Sequence, residues 1–213
     1  MTKAADNKKL AIVGASGHGK VVADLAEQLG FSVSFYDDAF PNKTSIAHWP
    51  IYGTFTDLLA LDKQDYVVAV AIGNNAIRQQ KIKQLQQAGF TLPVLQHPSA
   101  CVSQYATCAA GTVVFANAVI NAFAVIGQGC IINSAAVIEH DCVVNDFCHI
   151  SPNTTLAGGV SVGSNSWLGM GSQVKQLIKI GDNALIGAGS VVVKDIPANV
   201  TAFGSPATVI CRG

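Results

Sequence analysis

A six-residue period in the second half of the chain leaves few folds open to it. Stepping by six from Val102, the residues are Val102, Cys108, Val114, Ile120, Ile126, Ile132, Ile138, Val144, Ile150, Leu156, Val162, Leu168, Val174, Ile180, Ile186 and Val192. Fifteen of these sixteen are Ile, Leu or Val, so the position is one that must be buried in every repeat. Four residues later the residue is small in most repeats, as at Ala118, Ala124, Cys130, Ala136, Cys142 and Cys148, with Ile178 out of pattern. Glycine often follows the aliphatic residue, as at Gly127, Gly163, Gly169, Gly181 and Gly187.

A hexapeptide period is the signature of a parallel β-helix, because a two- or three-residue strand cannot bury its face until the next coil stacks on it. Three hexads close one triangular coil, with the aliphatic side chain toward the axis and the small residue near the corner, where a larger one would crowd the turn. The repeats predict roughly five coils, stacked about 5 Å apart like neighbouring strands. No insertion interrupts the register between Val102 and Val192, so no loop should protrude from this stretch.

Residues 9–96 follow a different grammar. Leu10–Val13 is a buried strand stopped by Gly14-Ala15-Ser16-Gly17-His18-Gly19. Val21, Val22, Leu25 and Leu29 then recur at helical spacing, and Gly30 ends the helix. Ser32–Tyr36 is a second strand, closed by Asp37-Asp38. A short helix near Thr56–Leu61 precedes a strand at Tyr66–Ile72. Asn74 or Asn75 caps a helix that runs to Ala88, with Ile77, Ile82 and Leu85 inward and Gly89 as the stop; Leu92–Leu95 is a last strand. Strand alternating with helix predicts a small Rossmann-like parallel sheet. The expected domains are therefore residues 1–96, an α/β nucleotide-binding domain, and residues 97–213, a β-helix with a C-terminal tail.

Composition narrows the partners. Lys plus Arg balances Asp plus Glu at 13 each, and only 12% of residues are charged, which offers no footprint for nucleic acid or an anionic membrane. No stretch reads as an export signal or a membrane span, so a reduced, cytoplasmic protein is expected. Of the six cysteines, Cys108, Cys130, Cys142 and Cys148 fall on repeat positions, where cysteine acts as a small hydrophobe; Cys101 and Cys211 do not, and no CxxC pair occurs.

A packed β-helix has no internal cavity, so any site lies on its surface or between subunits. Glu139-His140-Asp141 is the polar cluster that breaks the repeat grammar, with His140 and Asp141 mid-hexad on the outward side. Histidine is the usual general base near neutral pH, and an adjacent carboxylate orients it and stabilises its charged form. The alternative is a surface or interface histidine without chemistry. His149 lies one and a half hexads further on, on a different face, so the two imidazoles converge more readily across a subunit interface than within one chain. A zinc site wants three histidines, and beyond His97 the repeats supply two, so no metal is expected.

In the first domain, Gly14–Gly19 joins a strand to a helix N-terminus, where backbone N–H groups favour phosphate. Its spacing is G-x-x-G-x-G, neither the dinucleotide fingerprint nor a P-loop. Asp37-Asp38 after the second strand suits a ribose or a base, and Gly73-Asn74-Asn75 follows the third. All three lie at the carboxyl edge of the sheet, where ligands bind in such folds. The sheet is too small for a full dinucleotide.

The ordered set Gly14-Ala15-Ser16-Gly17-His18-Gly19, Tyr36-Asp37-Asp38, Ile72-Gly73-Asn74-Asn75 and Glu139-His140-Asp141-Cys142, followed by unbroken hexads, resembles the bacterial sialic acid O-acetyltransferase and UDP-4-amino-sugar N-acetyltransferase family, over about Lys9 to Ala207. The nearest likeness is to the N-acetyltransferases of bacillosamine-type sugar synthesis. That resemblance implies a left-handed β-helix, a homotrimer with its active site between subunits, and transfer of acetyl from acetyl-CoA to the 4-amino group of a UDP-linked amino-dideoxy sugar.

By the same resemblance, His140 is the general base assisted by Asp141, a position often Glu in the family, and the Gly158 amide stabilises the oxyanion. His149 touches the acetyl group, and Met170, Gly187, Ala188, Gly189 and Pro206 hold the rest of acetyl-CoA; relatives often carry Gly at the position of Ala188. Ser16, Gly17, His18, Asp37, Asp38, Gly73 and Asn74 hold the UDP part. Rival acceptors are sialic acid and a GDP-linked amino sugar. A sialic acid would need a cation for its carboxylate, and Arg78 is the only arginine before Arg212. Outside enzymes, a hexapeptide-repeat scaffold subunit is the alternative, and some proteins with such repeats resemble zinc carbonic anhydrases.

Overall fold

The computed structural model describes residues 9–210, and the chain divides into two compact units, Met1–Leu95 and Gln96–Gly213. The polar stretch before Lys9, together with Cys211 and Arg212, lies outside the described residues.

The first unit runs β1 (Lys9–Val13), α1 (Gly17–Gln28), β2 (Ser32–Tyr36), β3 (Ser45–Ile46), β4 (Trp49–Gly53), α2 (Phe55–Leu59), β5 (Tyr66–Val70) and α3 (Asn75–Gln87). Its sheet has the order β3-β4-β2-β1-β5, parallel except for the β3–β4 pair. Leu10, Ala11 and Ile12 of the central strand are fully buried, the outcome expected of an apolar run covered on both faces. Three details depart from the sequence reading. The β3–β4 hairpin was not expected, because neither strand alternates over enough residues to show a period. In α1 the buried face is Val22, Ala23, Leu25 and Ala26, while Val21 and Leu29 point outward. Ile77, expected inward, is 45% exposed, and Arg78 takes the buried place beside it.

Smaller shifts fall at element ends. The short helix starts at Phe55 because Thr54 and Asp57 close a capping box, in which the Thr54 N–H donates to Asp57 Oδ2 at 2.7 Å. Beyond α3, the expected strand shrinks to β6 (Leu95–Gln96), with Thr91 bridging to Val67.

In the second unit, sixteen two-residue strands follow one another from β7 (Cys101–Val102) to β22 (Val191–Val192). Each of the first thirteen pairs in parallel with the strand eighteen residues on, as in the row Ile120, Ile138, Leu156, Val174 and Val192. Those five side chains are at most 3% exposed and stack along the axis. At about 1.5–3 kcal/mol per buried aliphatic side chain, such rows are the main source of stability, and none exists until a second coil is laid down.

The corners rest on a feature that the aliphatic period hides. Every sixth residue from Gly111 to Gly189 has a positive φ, and those positions include Asn117, Asp141, Asn153 and Asn183 but also Phe123 and Leu177. The next residue is the small one, and it points inward. Several of the polar ones close a bond across the coil: Thr112 Oγ1 donates to the Gly127 carbonyl at 2.7 Å, Cys148 Sγ to Gly163 at 3.0 Å and Ser166 Oγ to Gly181 at 2.8 Å, whereas Ser190 Oγ donates to the nearby Gly187 carbonyl and Ser172 Oγ has no partner among the described residues. Where it forms, this bond satisfies a hydroxyl or thiol inside an apolar core. Burial raises the Cys142 thiol and pushes Cys108 up to about 11, so both remain protonated packing groups. Glycine after the aliphatic residue has a steric cause: a Cβ on Gly163 would stand 2.4 Å from the Asp182 amide nitrogen. The described residues finish in an antiparallel hairpin of β23 (Thr201–Gly204) and β24 (Ala207–Ile210).

Candidate active site

His140 and Asp141 sit on the corner between the strands Val137–Ile138 and Val143–Val144. Asp141 occupies the left-handed corner position, with φ 59°, and this turn brings its carboxylate alongside the preceding imidazole. His140 Nδ1 lies 2.7 Å from Asp141 Oδ2, and both side chains are 63% exposed. The hydrogen bond to Asp141 is the first cause that raises the His140 pKa; the charges of Asp141 and Glu139 act in the same direction, against a smaller desolvation effect. Glu139 is itself held by Asn121, whose Nδ2 donates to its Oε2 at 2.9 Å. With Nδ1 donating to Asp141, the neutral ring keeps a lone pair on Nε2.

What lies next to Nε2 is Gly158, one full coil further along the chain. A Cβ on Gly158 would stand 2.6 Å from His140 Nε2, and the Gly159 N–H donates to the His140 carbonyl at 2.9 Å. The Gly158 carbonyl accepts from Leu177, while its own N–H has no acceptor among the described residues. An imidazole nitrogen and an uncommitted amide donor therefore share one small patch. Large apolar side chains flank it: Phe123, 61% exposed and stacked on Tyr105, and Leu177, 74% exposed.

His149 lies on another face, in the row Ile131, His149, Trp167 and Leu185. Its ring stacks on Trp167 with centroids 4.9 Å apart, and its Nε2 lies 3.2 Å from Asn133 Nδ2. Trp167 Nε1 donates to Ser151 Oγ at 2.9 Å. These residues, with Met170, Ile186, Gly187 and Ala188, line a mostly apolar cavity of about 430 Å³. Gly189 and Pro206 are not among its lining residues; Gly189 instead donates to the Met170 carbonyl at 2.8 Å, and Pro206 is exposed in the final hairpin. Asn133, Ser151 and Trp167 were missed in the sequence, although Trp167 is one coil from His149 and could have been found by stepping eighteen residues.

In the first unit, a cavity of about 290 Å³ opens at the carboxyl edge of the sheet. Ser16, Asp37, Asp38 and Gly73 line it together with Phe55, Ile72, Ile77 and Lys81. Gly17, His18 and Asn74 do not: Asn74 caps α3 by accepting from Ile77 N–H at 3.0 Å, and His18 is half-buried in the first turn of α1. Burial, then the Arg78 charge, lowers the His18 pKa to about 4, so the ring is neutral at pH 7. Arg78 is committed to the Ile72 and Gly73 carbonyls at 2.9 and 3.1 Å and to Asn75 Oδ1 at 2.8 Å. Asp37 braces the loop by accepting from Ala15 N–H at 2.6 Å, and the Lys43 ammonium donates to the Ala15 carbonyl. Among the described residues no group of three His, Cys, Asp or Glu could hold a metal ion, and no helix is long and apolar enough to cross a membrane.

Repeats and dyad together define the class of hexapeptide-repeat transferases. The bacterial transferase hexapeptide (six repeats) family model matches residues 123–158 and 159–194, and the PglD N-terminal domain model matches residues 9–85. The acetyltransferase domain of PglB from Neisseria gonorrhoeae, solved in complex with acetyl coenzyme A, is 42% identical with a TM-score of 0.93, over 96% of this chain and 100% of that one. Perosamine N-acetyltransferase from Caulobacter crescentus, solved as a mutant with CoA and GDP-perosamine, is 37% identical with a TM-score of 0.91, over 95% and 97%. The chain belongs to the bacterial sugar acetyltransferase family of hexapeptide-repeat acyltransferases. Curated relatives match a shorter stretch: galactoside O-acetyltransferase of Escherichia coli is 49% identical over 51 residues, 24% of this chain and 25% of that protein. The chain thus spans about a quarter of the length of that relative.

Proposed function

We propose that the protein transfers the acetyl group of acetyl-CoA to the 4-amino group of a UDP-linked amino-dideoxy sugar in the cytoplasm, as a step in bacterial glycan biosynthesis. The observation that carries this reading is the placement of His140 Nε2 beside Gly158, close enough that a Cβ there would stand 2.6 Å away, with Nδ1 held by Asp141 at 2.7 Å. His140 takes a proton from the amine as its nitrogen attacks the thioester carbonyl. The Gly158 N–H donates to the carbonyl oxygen as negative charge develops there, and the CoA thiolate leaves. An amine is already a good nucleophile, so no acyl-enzyme is required. The pantetheine arm takes the cavity of Trp167, Met170 and Leu185, with His149 toward the acetyl group and the C-terminal hairpin around Pro206 near the adenine end.

The nucleotide takes the cavity of the first unit, with its phosphates toward Ser16 and Gly14. Supporting a nucleotide sugar over sialic acid, Arg78 is spent on backbone carbonyls and is not available for a substrate carboxylate. A GDP-linked amino sugar is the second reading, favoured by the GDP-perosamine bound to the 37% identical relative. We read the assembly as a homotrimer in which the His140 corner of one copy meets the His149 cavity of the next. The exposed Phe123 and Leu177 on either side of the dyad support that reading.

The test is CoA-thiol release with matched UDP- and GDP-linked 4-amino-4,6-dideoxy sugars and with sialic acid. Release with the UDP sugar and one added acetyl group by mass is the expected result. Release with the GDP sugar alone would establish the second reading, and release with none would sink acetyl transfer to a sugar amine.

A further inference from the structure

The cavity of the first unit contains a donor and an acceptor that the phosphate and ribose reading does not use. Lys81, on α3, places Nζ 3.1 Å from Asp38 Oδ2, and its side chain is only 18% exposed. The same ammonium sits over the Phe55 ring, 3.8 Å from the centroid. Asp38 Oδ1 is pinned in turn by the Phe55 N–H at 3.0 Å, the first cause that holds the Asp38 carboxyl below its usual pKa. Lys81 is thus fixed by a carboxylate and a ring face, and Asp38 by a backbone amide and the ammonium. The Asp38 side chain is 64% exposed, but its two bonds fix its carboxylate in place, and both residues line the cavity beside the apolar Ile72 and Ile77.

Position along the cavity separates this pair from the rest of the site. Asp37 is tied to the glycine loop through Ala15, at the phosphate end, whereas Asp38 is tied to the start of α2 and to α3. A nucleotide entering with its phosphates on the glycine loop presents its base to Asp38, Lys81 and the two isoleucines. An ammonium carries only donors, and a carboxylate held ionised carries only acceptors. Side by side they match a ring carbonyl next to a ring N–H. Uracil and guanine show that lactam edge. Cytosine and adenine show the reverse, an amino donor beside a bare ring nitrogen, and would face the ammonium with a donor and the carboxylate with an acceptor.

We propose that the Lys81–Asp38 pair reads the lactam edge of the nucleobase, so that the site accepts uridine or guanosine diphosphate and rejects cytidine and adenosine diphosphate. This rests on the nucleotide-sugar reading given above. A site built to bond a specific edge discriminates by leaving its own groups unpaired against the wrong one, and a discrimination of at least about tenfold is expected.

The test is calorimetric titration of the full chain with UDP, GDP, CDP and ADP, then with 3-methyl-UDP, in which the ring N–H is replaced. The expected result is that UDP, GDP or both bind at least about tenfold more tightly than CDP and ADP, and that 3-methylation costs UDP a similar factor. Lys81→Met should bring UDP and CDP to within about twofold of one another; the methylated ligand tests the same contact without altering the protein. Equal binding of UDP and CDP to the wild type, or full affinity for 3-methyl-UDP, overturns the proposal. Thiol release with a UDP-amino sugar, measured alongside, separates the two claims. Transfer without base discrimination removes the base reading alone, whereas neither nucleotide binding nor transfer removes both.

Discussion

The two units reach stability by opposite routes. In the β-helix one short sequence rule, repeated every six residues, decides which side chain of each strand is buried. The α/β unit has no such rule: each of its turns is held by a different device, the capping box at Thr54, the Asn74 cap, or the Arg78 guanidinium on two carbonyls. The lesson is where function fits. In the repeat unit a departure from the rule stands out as a candidate for chemistry, and His140 is such a departure. In the α/β unit every polar group is already irregular, so bracing and ligand-binding groups look alike.

Acid should separate the units most strongly. Burial and the Arg78 charge lower the His18 pKa to about 4 in the folded chain, below the 6.5 of an ordinary histidine. The unfolded chain therefore binds more protons between those values, and stability falls as pH drops through that window, by up to about 3 kcal/mol. The two tryptophans report the units separately: Trp167→Phe leaves Trp49 to follow the α/β unit, and Trp49→Phe leaves Trp167 for the β-helix. The Trp49 signal should move to lower denaturant between pH 6.5 and 4; no movement would remove His18 as the acid-sensitive group.

Glycine substitution sharpens the contrast next. A Cβ on Gly163 strikes backbone at 2.4 Å, so Gly163→Ala should cost about 1–3 kcal/mol by denaturant titration. Gly17 starts α1 with nothing within 4 Å of its Cβ position, and Gly17→Ala should be neutral or slightly stabilising. Equal effects would contradict the account of the repeat.

Gly158→Ala asks for a loss of rate without a loss of fold. Its methyl would displace His140 Nε2, which stands 2.6 Å from the Cβ position, and kcat should fall on the order of tenfold or more. The Trp167 unfolding midpoint should hardly shift. The smallest effect is expected of Asp141→Asn. The Asp141 bond is the main cause raising the His140 pKa, and a general base is lost as it protonates, so the acid limb of the pH–rate profile should move to lower pH in the variant. A limb that stays in place would mean that another group sets it.

How much of this was legible follows from the same contrast. The aliphatic row, the small residues and the absence of insertions were all readable, because burial in a repeat depends on spacing alone. The left-handed corner was not, since Asn, Gly and Asp share that position with Phe123 and Leu177. His140 and Asp141 stood out; the contact of His140 with Gly158 did not, because it needs the eighteen-residue coil and not the six-residue strand. In the α/β unit Asp37-Asp38 was visible but its division of labour was not, because the partners Ala15, Phe55 and Lys81 are far apart in sequence. Ile77 was misplaced because a single turn of helix carries no mark of which side faces a cavity.

The most direct test of the central claim is acetyl transfer by His140→Ala, with acetyl-CoA affinity measured on the same sample. The account predicts that acetyl-CoA binds as before, because its cavity lies on the Trp167 face, while the transfer rate falls by about 10²–10⁴-fold. A variant that transfers acetyl at the wild-type rate would contradict it, leaving the β-helix as a frame and the chemistry elsewhere.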